Sequence, residues 1–127
     1  MWRSGGDCGA IRYRIADDDY PSVNCHCSMC RKLHIAAFLT WLVAPLANFA
    51  YTSARQPAAF RSSDGGIRFR WPECGTNVAC VNTARPDIVE VAVGSLDAPD
   101  SYRPRLDAHE DTWFSWIAHL PGRSKMQ

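Results

Sequence analysis

Three of the six cysteines in this 127-residue chain fall within six positions, as Cys25-His26-Cys27-Ser28-Met29-Cys30. A packed core gains nothing from such crowding, because Ala or Val would fill the same space without a redox liability. Thiolates at these spacings can instead converge on one soft cation, and zinc, with Zn–S distances of about 2.3 Å, fits the donor set best. His26 stands between two cysteines and is expected to point away from the centre its neighbours share. Three thiolates leave a tetrahedron one ligand short. A remote residue (Cys80, His34, His109 or His119) would close it into a structural site. Left open, the fourth position can do chemistry.

The elements that must hold this knuckle are short strands. Ile11-Arg12-Tyr13-Arg14-Ile15 alternates with period two, Ile11, Tyr13 and Ile15 inward and the arginines outward. After the knuckle, positions 31–34 read as a short helical turn. Strands are expected at 37–43, 49–52, 58–61, 67–71, 77–81 and 88–93, separated by Pro, Gly, Ser and Asp clusters. The apolar stretch from Ile35 to Tyr51 is broken by Thr40, Pro45 and Asn48, too interrupted to span a bilayer, and reads as two buried strands joined at Pro45. Positions 111–120 are open between a helix and a last strand. The expected fold class is all-β with few short helices, in a single domain of residues 1–127.

Bulk properties narrow the function. The net charge is +1, with 46% hydrophobic and 21% charged residues, which is ordinary globular composition and lacks the basic face of a nucleic-acid binder. Asp17-Asp18-Asp19 is a solvated turn without the spaced oxygen ligands of a calcium loop. The start, Met1-Trp2-Arg3-Ser4, has no apolar leader, so a cytoplasmic protein is expected, whose cysteines serve a metal or thiol chemistry rather than a disulfide framework. Oligomeric state is not legible. Cys80, within Val78-Ala79-Cys80-Val81, reads by default as a small buried hydrophobe.

Several motifs in order carry a family resemblance: Cys8-Gly9-Ala10-Ile11-Arg12-Tyr13, Cys25 to Lys32, Ala37-Phe38, Phe60-Arg61-Ser62-Ser63, Cys74-Gly75-Thr76 and Gly94-Ser95-Leu96-Asp97. From about Gly5 to Pro121 the chain resembles the glutathione-dependent formaldehyde-activating enzymes and centromere protein V. The resemblance implies a β-tent fold, two short-stranded sheets around zinc, and two zinc sites. One is an open Cys-x-Cys-x-x-Cys site, matched here by Cys25, Cys27 and Cys30. The other is a structural site made by a Cys-x-Cys and a later Cys-x-x-Cys. In this chain only Cys8 and Cys74 remain of it, since its other two ligand positions fall on Gly6 and Trp71, neither of which can coordinate zinc. One zinc per chain is therefore expected, with the Trp71 indole filling the vacated space. Cys8 and Cys74 are left as a thiol pair, a disulfide, or ligands supplemented by Asp7 or Glu73.

The activity implied is that of a carbon–sulfur lyase joining a glutathione-like thiol to an aldehyde such as formaldehyde. Arg31 and Lys32 are the expected cations offsetting the thiolate charge, and no general base stands out. A non-catalytic zinc module that binds glutathione or a protein partner is the competing reading.

Overall fold

The computed structural model describes residues 2–6, 12–117 and 124–126. Its strands are β1 (Trp2–Gly5), β2 (Tyr13–Ala16), β3 (Ser22–Cys25), β4 (Leu39–Pro45), β5 (Phe49–Tyr51), β6 (Ala58–Arg61), β7 (Gly66–Arg70), β8 (Asn77–Asn82), β9 (Arg85–Ala92), β10 (Leu106–Ala108) and β11 (Ser124–Met126). The α-helix among the described residues, α1, runs from Ser28 to His34. A three-stranded sheet has the order β1-β2-β5, and an eight-stranded sheet the order β11-β10-β3-β4-β9-β8-β7-β6. The fold is thus mostly β, as the alternation implied. No described helix is long and apolar enough to cross a membrane.

Period-two alternation decides what each face of the large sheet carries. Leu42 and Ala44 on β4, Val89 and Val91 on β9, and Ala79 on β8 join Tyr13 and Ile15 of the small sheet in the main core. Their neighbours in sequence face the other way. Trp41, Ala92, Val23 and Cys25 form a second cluster, against which Val43 and Cys80 pack. Both faces of the central strands are therefore covered, and the cysteine knuckle lies on the second. Pro45, expected to join two buried strands, is where the chain leaves the large sheet; one turn of 3-10 helix (Leu46–Asn48) then delivers it to β5 in the small one.

Four strands were not anticipated from sequence: β1, β3, β10 and β11. All are three or four residues long, too short to display a period. β3, Ser-Val-Asn-Cys, is buried at all four positions, so its polar residues do not mark a solvent-facing side. The helix also begins earlier than the expected turn at 31–34. Its start is set by Cys27, whose Sγ accepts a hydrogen bond from the Cys30 amide at 3.3 Å, a thiol performing the capping task of a Ser or Asp side chain. In the tail, Glu110–Thr112 forms a 3-10 turn, while positions 118–120 lie outside the described residues.

Trp71 is fully buried and belongs to the main core with residues of both sheets. Its ring meets that of Tyr51 edge-on at 5.9 Å. Its backbone closes the β7–β8 loop through Trp71 N to Thr76 O at 2.9 Å and Gly75 N to Trp71 O at 2.7 Å, with Gly75 at φ 77° supplying the left-handed turn. We predict that Trp71→Ala lowers unfolding free energy by about 3–5 kcal/mol, read from urea melts, and leaves zinc content unchanged.

Candidate metal centre

Cys25 ends β3, Cys27 caps α1 and Cys30 lies in its first turn, so a strand, a tight corner and a helix start present all three side chains on one side. Their Sγ atoms lie within 4.8 Å of one another, with Cys25 and Cys30 at 3.4 Å. Thiolates on a tetrahedral zinc at about 2.3 Å would be roughly 3.8 Å apart. The cluster therefore fits the ion in donor type and in spacing without rearranging the backbone.

His26 faces away from this group. Its Nε2–H donates to Asp107 Oδ1 on β10 at 3.0 Å, with both side chains essentially inaccessible. The ring stacks on Trp113 at 4.2 Å and tilts against Phe38 at 5.1 Å. Two backbone-directed bonds complete the anchor: His26 N to Ala108 O at 2.9 Å, and Thr112 Oγ1 to His26 O at 2.6 Å. The residue between two cysteines thus ties the knuckle's corner to β10 and to the following turn.

The cation against the thiols is Arg68, which sequence reasoning missed. Period two puts Arg68 on the side of β7 opposite Phe69, which packs against the main core, and that side is the thiol face rather than solvent. Arg68 is 7% exposed. Its Nη2 donates to Cys30 Sγ at 3.5 Å and its Nε to Ser62 Oγ at 3.0 Å, while the guanidinium lies 5.9 Å from the Trp41 ring centre. The expected cations lie elsewhere: Arg31 stacks over Phe114 at 4.4 Å, and Lys32 is exposed. The signal available in sequence was its parity, out of step with Phe69; its place opposite Cys80 is set by the β7–β8 pairing.

Donation from the Cys25 S–H, reinforced by Arg68, holds the Cys30 thiol well below its usual range against the opposing effect of burial. The same hydrogen bond, followed by burial, pushes Cys25 up, and burial raises Cys27.

A cavity of about 180 Å³ opens over the cluster. Besides the three cysteines, its lining includes Arg68, Cys80, Glu90 and His109. Cys80, opposite Arg68 on one side and Glu90 on the other, is pushed up to about 11 by burial and stands as a neutral thiol. His109 is exposed, with φ at 59°. His34 lines a different groove with Thr76 and Gly94, meets Trp41 edge-on at 5.5 Å, and is held below its ordinary pKa by burial and by Arg68. Of the remote fourth-ligand candidates, then, Cys80 and His109 share the cavity and His34 does not; His119 lies outside the described residues.

Cys8 and Asp7 also lie outside the described residues. Cys74 is exposed in the loop that Trp71 closes, its Sγ 3.1 Å from Thr76 Oγ1. The adjacent Glu73 pairs with Arg55.

Fold and site together define a mostly β protein with a strand-to-helix knuckle of three convergent thiols. The pattern of the glutathione-dependent formaldehyde-activating enzyme family matches residues 2–113, and the chain belongs to that family. Among curated proteins none matches. Of solved structures, a Rhodobacter sphaeroides protein determined in a structural-genomics programme is similar over 98% of this chain and 99% of its own, with 15% identity and a TM-score of 0.63, a likeness of fold.

Removing the buried cation should weaken the metal site without emptying the knuckle of sulfur. Arg68→Met is predicted to lower zinc affinity about 10-fold or more, with partial recovery in Arg68→Lys, measured by competition with a chromogenic chelator.

Proposed function

We propose that this chain is a zinc-dependent carbon–sulfur lyase that adds a glutathione-like thiol to an aldehyde such as formaldehyde, and releases it in reverse. The observation that carries this reading is the set of three clustered thiols facing a polar cavity. Cys25, Cys27 and Cys30 would hold one zinc per chain, which when bound lowers the pKa of an entering thiol from about 8.5 and stabilises it as the thiolate. Family membership supports glutathione and formaldehyde as the chemical class of substrates. We read residues 1–127 as one such zinc domain, without a nucleic-acid or membrane partner and working in the cytoplasm.

The chain's own groups prepare the site. Arg68 offsets the negative charge of the thiolate set from within the protein, where water cannot. The cavity is smaller than the roughly 300 Å³ of a typical ligand site. It admits the reacting ends of the substrates, and the rest of a tripeptide thiol lies outside it. Cys8 and Cys74 are, on this reading, the remnant of the family's second site, with Trp71 packing in its place.

The module reading keeps one specific support, because Cys80 and His109 face the same cavity and either could close the coordination. The two are separated by turnover. Zinc-loaded protein should accelerate exchange between free glutathione and its formaldehyde adduct, followed by exchange NMR. Chelation should abolish the acceleration, and Cys27→Ser should lose both zinc and activity. Equal rates with and without zinc would sink the enzyme reading.

A further inference from the structure

Glu90 is the one carboxylate lining the cysteine cavity among the described residues. Its place is fixed by register: on β9 it stands opposite Cys80 of β8 and Val43 of β4, on the thiol face of the large sheet. The side chain is 27% exposed, and its nearest cation, Arg85 Nη2 on its own strand, is 3.9 Å away. That is the outer limit of an ion pair. By contrast, Asp107 is shut into its bond with His26, and Asp97 is tied to Arg12. The charged or titratable groups around Glu90 are Arg85 on β9, Arg68 on β7, Cys80 on β8, Cys30 on α1 and His109 after β10. Burial raises its pKa above the ordinary carboxylate value, the two arginines and His109 opposing. Glu90 thus lines the same small cavity as the three thiols, where a carboxylate can meet a substrate atom directly or through one water.

We propose that Glu90 is the catalytic residue that takes the thiol proton and returns it to the aldehyde oxygen, an assignment that rests on the thiol–aldehyde reading of the cavity. In the forward direction the S–H proton passes to a Glu90 carboxylate oxygen. The sulfur electron pair forms the bond to the carbonyl carbon, and the carbonyl π pair moves onto oxygen. That oxygen takes the proton from Glu90, giving the S-hydroxyalkyl product and restoring the carboxylate. Thiol plus aldehyde equals product, with no further reactant. Release runs the same steps backward, Glu90 removing the hydroxyl proton and protonating the departing sulfur.

The direct test separates thiol binding from turnover. Zinc-loaded wild type, Glu90→Gln and Glu90→Asp are titrated with glutathione at pH 7 by calorimetry, and their adduct exchange is followed by NMR. Zinc content and glutathione affinity should be alike in all three, while adduct exchange falls about 100-fold in Glu90→Gln and recovers in part in Glu90→Asp. Undiminished exchange in Glu90→Gln would overturn the assignment and leave the thiol reading standing. Loss of zinc from both variants would also overturn it, as a structural role. Failure of the zinc-loaded wild type to bind thiol would remove the thiol reading itself.

Discussion

A zinc held by Cys25, Cys27 and Cys30 would concentrate negative charge beneath a covered sheet face, and the second cluster is arranged around that constraint. Three thiolates on one divalent ion leave a net charge of −1, and a fourth would make it −2. Buried away from water, that charge is tolerated only beside a fixed opposite charge. Arg68 supplies it, held by Ser62 on one side and lying near Trp41. Its burial follows from the sheet's architecture: with the main core occupying one face of β7, the other face must carry whatever serves the knuckle.

The knuckle itself was legible because its chemistry is local. Three cysteines within six residues can meet whatever the tertiary fold, and the chain brings them together at a strand end and a helix cap. Strands with clear alternation, such as β2 and β9, could be read for the same reason. What escaped was set by long-range pairing. β10 is defined by its parallel contact with β3, and Asp107 becomes the partner of His26 only through it. Arg68 and Glu90 belong to the site because β7, β8 and β9 align them with Cys80, a register that no window of sequence displays. The adjacent Arg31 and Lys32 were the natural guess from proximity in sequence. The helix instead points Arg31 at Phe114 and leaves Lys32 in solvent.

Trp71 belongs to the hydrophobic core that joins the two sheets. Where the resemblance places a ligand, this chain has an indole packed between residues of both sheets. A buried Trp contributes through area and shape, a different currency from a metal–thiolate bond but one that can hold the same loop. Under the proposed function that loop is held by packing, and a zinc at Cys25, Cys27 and Cys30 would serve the cavity.

The claim at the centre is that Cys25, Cys27 and Cys30 hold zinc with one position left for substrate. Zinc X-ray absorption on protein loaded to saturation addresses it directly. The expected result is about one zinc per chain with three sulfurs and one light atom, changing to four sulfurs when a thiol is added. Coordination by four protein ligands, unchanged by thiol, would contradict it.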